Sequence, residues 1–350
     1  MTPLGGRLAL DPQQTRANGP RSEHMIAAMK ILVTGATGKV GHAVAEALAA
    51  RGDDVRALVR DVERGMRVLP EGVEPVQGDV TDRRSLDAAV EGCELVFNAM
   101  GIPEQWLADE SLFDRVNAGG TKAVADAARA AGVRRMIHTS TEDVFHAEPG
   151  GRFDESQVAD YPKGTVYERS KQHAEELALA ARDGLEVVIV NPSGVYGPGP
   201  SASASFDKNL FAPLVKKRLP ALPPGGLGVV FTDGVAAGHL LAAERGRDGE
   251  RYILCDRHLS VRELAETVVR VAGRGRVPPT LPVPLAKAMA TGGEALSRII
   301  RRPPLLSKGQ LHYFMWNAAP DSSRAQRELG WKPTPVEVGV RKTLDGMGIL

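Results

Sequence analysis

The segment YERSK places a phenol, Tyr167, and an ammonium, Lys171, four residues apart. On a helix, positions i and i+4 share a face, so the two groups come within reach of each other. A titratable hydroxyl beside a fixed cation is a combination suited to acid–base chemistry. A solvated helix face gives the same spacing, so the rest of the chain must decide between the two readings.

A second signal lies upstream, where the apolar run KILVTG passes into TGATGKVG, with Gly35, Gly38 and Gly41 at intervals of three. Glycines at a strand-to-helix turn accept positive φ and let the backbone approach a phosphate, while the helix N-terminus offers unpaired N–H groups and partial positive charge. The bland alternative is a tight turn, but its place after the first strand favours a dinucleotide. The end of the next strand chooses the dinucleotide, because a ribose 2′-hydroxyl wants a carboxylate there and a 2′-phosphate wants a cation. VRALVRD puts Arg60 at that point, favouring NADP, with the adjacent Asp61 keeping NAD open. Asp79 in QGDVTD either accepts from an adenine amino group or caps the helix expected at DRRSLDAAV.

These residues need a scaffold. From Met29 the apolar runs KILVTG, VRALVR, VEPVQGD, ELVFNAM, RRMIHTS and LEVVIVNP alternate with Ala-rich helical stretches such as HAVAEALAARG and GGTKAVADAARAAG, each closed by glycine. Strands apolar on both faces and spaced by helices predict a doubly wound α/β fold around a parallel sheet. Past Pro192 the turn-rich NPSGVYGPGP and LPPGGLG break the rhythm and open a smaller, substrate-binding region. Within it Ser260 and Glu263 form a capping box, and DSSRAQRELGWKP reads as a short helix stopped by Gly330 and Pro333. The expected organisation is a disordered tail over 1–28, a dinucleotide-binding domain over 29–205 and the substrate region over 206–350, with segments near 227–258 returning to the core.

The chain of 350 residues, 43% hydrophobic and 25% charged, is long enough for one large domain or two linked ones. Lys plus Arg (44) nearly balances Asp plus Glu (43), so no global field draws nucleic acid or an acidic membrane. The first 28 residues carry no signal-like apolar run, and the most apolar later stretch, LPVPLAKAMATGGEALSRII, is interrupted by Lys287, Glu294 and Arg298. Cys93 and Cys255 lack metal or disulfide spacing and suit a reducing cytoplasm. The expected partner is therefore a small-molecule substrate, with no metal, nucleic acid or membrane.

With these motifs in order, joined by GDVTD, NAMG, VNAGGT, HTST, NPSGVYGPG and FTDGVAAGH, the chain resembles the extended short-chain dehydrogenase/reductase family, also called the NAD-dependent epimerase/dehydratase family. VRALVRD and VNPSGVYGPG look most like its dihydroflavonol-reductase-like branch. The resemblance implies Tyr167 as general acid/base, its phenolate favoured by Lys171 and by an oxidised nicotinamide. It implies Thr141 as the hydroxyl that fixes the substrate oxygen, Lys171 on the nicotinamide ribose, and Asn117 supporting the lysine through a water. Cofactor contacts would come from Gly35, Thr37, Gly38, Lys39, Val40, Gly41, Arg60, Asp79, Val80, Asn98, Ala99, Gly101, Pro192 and Ser193. Such enzymes often dimerise through the helices bearing GGTKAVADAA and YERSK, so a homodimer is expected.

The departures are informative. DVFH offers Phe145 and His146 where relatives carry an aromatic and a glycine. Nucleotide-sugar 4,6-dehydratases carry Thr-Asp-Glu where this chain has Thr141, Glu142 and Asp143, and the swap misplaces an acid and a base. The bland reading of Glu142 and Asp143 is one turn cap and one solvated carboxylate. Hydride transfer between NADP and a secondary alcohol or ketone is the favoured reaction. Sugar-nucleotide 4-epimerisation with bound NAD and non-catalytic cofactor sensing are its rivals. His138 reads as a packed core residue, His146 and Trp106 as loop residues of the substrate pocket, and Lys216 to Arg218 as a substrate-phosphate contact or a solvated helix end.

Overall fold

The computed structural model describes residues 29–200 and 207–350. The expected tail over 1–28 and the boundary at 205–206 lie outside these residues.

In chain order the strands are β1 (Lys30–Thr34), β2 (Asp54–Val59), β3 (Val73–Gln77), β4 (Leu95–Asn98), β5 (Arg135–Thr139), β6 (Arg152–Phe153), β7 (Glu186–Pro192), β8 (Gly194–Tyr196), β9 (Gly226–Phe231), β10 (Arg251–Leu254), β11 (Arg257–Ser260) and β12 (Ala319–Pro320). Seven of them form a wholly parallel sheet in the order β10-β7-β5-β4-β1-β2-β3. All six apolar runs lie in it. The seventh strand, β10, returns from beyond Pro192 to the sheet edge against β7.

The helices are α1 (Lys39–Arg51), α2 (Val62–Val68), α3 (Arg83–Val90), α4 (Ser111–Phe113), α5 (Gly120–Ala130), α6 (Val166–Ala180), α7 (Ala212–Val215), α8 (Thr232–Arg245), α9 (Val261–Ala272), α10 (Val283–Ile300), α11 (Lys308–Trp316) and α12 (Val336–Gly346). Side chains alternate across a strand, so β1 feeds two cores. Ile31 and Val33 pack with Val44 and Leu48 of α1 and Val235 of α8, whereas Leu32 packs with Leu86 of α3 and Val124 of α5. The parallel sheet is covered on both faces, as its apolar strands require.

A smaller sheet, β11-β9-β8, packs with α7, α9 and α12 to form the third core. The Ser260–Glu263 capping box opens α9, and Gly330, at φ +76°, ends the π-helical segment Ala325–Leu329. In the main sheet the order turns at β1, between β2 on one side and β4 on the other. That switch point opens a crevice at the carboxyl ends of β1 and β4, the usual ligand position in an open α/β sheet.

Candidate active site

Gly35 turns from β1 with φ +73°, and a Cβ there would lie 2.5 Å from the Ala99 carbonyl oxygen beyond β4. A Cβ on Gly41 would lie 2.4 Å from the Gly35 oxygen. Only glycine lets these backbones close. Gly38, whose N–H donates to the Gly35 carbonyl at 2.9 Å, begins α1 without a side-chain cap, so the first N–H groups of the helix stay unmasked. Thr37 and Val40 flank this turn, both partly accessible. The loop is thus shaped for a pyrophosphate.

Lys39 departs from expectation, because its ammonium binds the Gly197 carbonyl and pairs with Asp207 at 2.9 Å. It ties Gly197 and Asp207 to the start of α1 and leaves only its backbone at the phosphate turn.

At the end of β2 the sequence left two residues in competition, and the structure separates them. Asp61 caps α2, accepting from the Arg64 N–H at 3.0 Å, while Arg60 is exposed with its charge acting on Asp79. Asp79 does not cap α3. Its carboxylate accepts from the Thr81 N–H and hydroxyl at 2.8 and 2.7 Å, bonds that hold it below the usual carboxylate range, and Asp82 supplies the cap. Val80 packs where a Cβ on Gly120 would fall, 2.9 Å away. The Asn98 side chain turns inward, accepting from Thr34 at 2.7 Å and reaching Thr121 and His138. Asn98 therefore offers the crevice its backbone, together with Ala99 and Gly101.

A capping box starts α6, with Thr165 accepting from the Glu168 N–H and Glu168 accepting from the Thr165 N–H. This fixes Tyr167 in the first turn and Lys171 one turn later. The Tyr167 hydroxyl faces the Thr141 hydroxyl, whose hydrogen goes to Asp143. Its ring meets Phe113 edge-on, with centroids 6.3 Å apart. Desolvation first, and then the charge of Asp143, push the phenol well above its usual value, opposed by the neighbouring Thr141 hydroxyl.

Lys171 is not among the groups that set this shift in the chain alone. Lys171 is buried, donates to the Thr139 carbonyl at 2.8 Å, and is itself lowered to about 8 by burial, with Glu175 acting against the shift. Asn117, expected to support the lysine through a water, sits on the π-helical segment Asp114–Gly119. It bonds Ser170 at 3.0 Å and accepts from the Ile102 N–H at 2.7 Å. Behind Thr141, Asn191 donates to the Thr141 carbonyl at 3.0 Å and to Glu175 at 2.8 Å, and Glu175 pairs with Arg251 at 2.7 Å. These groups lock the backbone that carries the hydroxyl.

Glu142 and Asp143 are both buried, against the reading of one cap and one solvated group. They follow Thr141 in a 3-10 turn, Glu142–Val144, that caps on the Thr141 side chain. Thr141 donates to Asp143 at 3.2 Å. Glu142 accepts from Ser193 and from Tyr313 of α11, each at 2.5 Å, and burial raises its carboxyl to about 7. Asp143 is raised as well, by burial and then by Glu168 and Glu142. Lys163 and His312 stand at 3.8 and 3.6 Å from Glu168 and supply the balancing cations. Ser193, expected beside the cofactor, thus serves the acid pocket through its hydroxyl, and Pro192 ends β7 in register with Leu254 of β10. Tyr313, His312 and Glu175 carry no local motif, and the sequence signals for this pocket were the acidic pair after Thr141 and the NPSGVYGPG segment that holds Asn191 and Ser193.

His138 is buried and neutral, as expected of a core residue, its pKa held far down by burial and then by the charge of Lys171. His146 is exposed and engaged with the Tyr161 hydroxyl at 2.7 Å, which removes it from the buried pocket. Trp106 is half-buried in the loop whose Gln105 packs on Gly309 of α11. Phe145 is buried against Phe153, with centroids 5.6 Å apart. Lys216, Lys217 and Arg218 end α7 in solvent.

Comparison with known proteins agrees with this geometry. The NAD dependent epimerase/dehydratase family matches residues 31–255. Sterol demethylase protein B of Methylococcus capsulatus is 34% identical over 87% of this chain and 94% of its own length. A 4-hydroxy-2-methyl-3-oxo-4-farnesyl-3,4-dihydroquinoline-1-oxide ketoreductase of Stigmatella aurantiaca is 33% identical over 87% of this chain and 92% of its own. The crystal structure of gox2253 superposes with a TM-score of 0.78 at 30% identity, covering 91% of this chain and 97% of the other.

Proposed function

The chain belongs to the NAD dependent epimerase/dehydratase family of NAD(P)-dependent oxidoreductases and epimerases, and from that premise we propose that it reduces a ketone to a secondary alcohol with NADPH, with Tyr167 delivering the proton. The observation that supports the reading is the placement of Tyr167, a half-buried phenol in the first turn of α6, facing Thr141, with desolvation and then Asp143 disfavouring its phenolate. A proton donor at neutral pH serves reduction, whereas alcohol oxidation would need the phenolate.

The glycine turn and the unmasked start of α1 fit a pyrophosphate, and Arg60, with Asp61 engaged in its cap, fits a 2′-phosphate. Lys171 would hold the ribose hydroxyls beside Tyr167. When bound, the nicotinamide supplies the hydride. Thr141 fixes the carbonyl oxygen next to Tyr167, its own carbonyl held by Asn191, and Tyr167 transfers its proton to that oxygen as negative charge develops there. Asp143 keeps the Thr141 hydroxyl oriented. Glu142 ties Tyr313, and with it α11, to the end of β5, which closes the substrate side.

Fluorescence titration tests the cofactor assignment. NADPH should bind roughly tenfold more tightly than NADH, the worth of one charge-assisted contact. Equal affinities, or NAD co-purifying in stoichiometric amount, would overturn the reductase reading.

A further inference from the structure

The α10 helix turns two unlike faces outward and inward. Ala286, Ala290, Glu294 and Ser297 are buried, and the two alanines pack on Leu311 of α11. The opposite face repeats at 4-3-4-3 spacing through Leu285, Met289, Gly292, Leu296 and Ile299, and the chain continues to Ile300 and Leu305. Exposure rises along it, from 48% at Leu285 to 80% at Ile299 and 99% at Leu305. Six of the eleven exposed large hydrophobic residues among those described fall within 285–305. So concentrated an apolar patch marks an interaction surface rather than scattered surface apolarity.

The exposed charges of this segment have one sign. Lys287, Arg298, Arg301 and Arg302 are exposed, and none forms an ion pair among the described residues. Residues 282–306 contain one acid, Glu294, which is buried and accepts from the Lys308 N–H at 2.6 Å. A second copy docking through the same face would set these cations against their equals. An anionic surface with an apolar interior complements both features.

We propose that the outer face of α10 docks on an anionic lipid bilayer, its apolar stripe entering the headgroup boundary and its Arg and Lys side chains meeting lipid phosphates. Among the described residues no helix is long and apolar enough to cross a membrane. A helix lying in the interface needs only one such face. Because α11 lies beneath α10 and carries Tyr313 and His312 to the candidate site, the docked face backs the substrate wall.

Co-sedimentation of the full chain with phosphatidylcholine vesicles, with and without about 30 mol% phosphatidylglycerol, tests this directly. Wild type should pellet with the anionic vesicles, release in high salt, and bind pure phosphatidylcholine weakly. Leu296→Glu/Ile299→Glu and, separately, Arg301→Glu/Arg302→Glu should each lower the partition coefficient roughly tenfold while keeping the wild-type circular dichroism and NADPH affinity. Absence of wild-type binding to anionic vesicles, or equal binding by both variants, overturns the proposal. So does a self-association abolished by Leu296→Glu/Ile299→Glu without any vesicle binding, which would assign the face to a second copy.

Discussion

In the cofactor crevice the contacts are made by turns and caps at the ends of neighbouring elements. Gly35 closes on Ala99 across two neighbouring strands, Asp61 caps the helix that follows it, and Asp79 folds back on Thr81. The acid pocket instead joins Glu142 to Tyr313 across 171 residues and to Ser193 across 51. The crevice relies on backbone N–H groups and an accessible cation, Arg60. The pocket buries three carboxyls around two hydroxyls, and burial there moves Glu142, Asp143 and Tyr167 all upward. Binding and proton delivery are thereby given to regions of opposite electrostatic character.

That contrast predicts separable losses. The largest is catalytic: Tyr167→Phe should lower kcat about a thousandfold while leaving NADPH affinity within about threefold, as expected when only proton transfer is removed. Steady-state rates and fluorescence titration on the same preparation check it, and a comparable loss of NADPH binding would break the separation.

Next is the pH dependence of stability. Glu142 titrates at about 7 in the fold against an ordinary value of 4.5. Between these values the folded chain holds a proton that the unfolded chain has lost, so stability falls as pH rises and levels above about 7. The total is on the order of 3 kcal/mol. Glu142→Gln should flatten this contribution to denaturant midpoints measured from pH 4.5 to 7.5. An unchanged slope would place the titration elsewhere.

Smaller still is Arg60→Ala, which should weaken NADPH about tenfold and leave NADH unchanged, without altering the pH slope of stability. The smallest effect belongs to Asp61→Ala, which removes the α2 cap and should cost about 1 kcal/mol of stability, leaving the NADPH preference as it was. A gain in NADH binding in that variant would show Asp61 engaged with ribose rather than with the helix.

The same division explains what could be read before the structure. Six central strands and the glycine turn were legible because each is a local pattern with a local cause, apolar on both faces or free of Cβ. The seventh strand was foreseen only as a return of segments near 227–258 to the core, since Arg251 to Leu254 is too short to announce itself as a strand. Tyr167, Lys171 and Thr141 were found by spacing and order, but their electrostatics were not. Lys171 turns to the Thr139 carbonyl, and burial and then Asp143 govern the phenol. Lys39 looked like a phosphate ligand until Asp207, distant in sequence, took its charge. Glu142 and Asp143 read as one turn cap and one solvated group because nothing local signals that Tyr313 of α11 reaches Glu142.

The most direct test of the central claim is deuterium transfer from C4-labelled NADPH to a panel of ketones, followed by mass spectrometry. The account predicts one deuterium in the secondary alcohol from the wild-type protein and roughly a thousandfold slower labelling by Tyr167→Phe. Labelling that survives Tyr167→Phe at the wild-type rate, or no labelling of any ketone alongside NADPH-independent epimerisation of a nucleotide sugar, would contradict it.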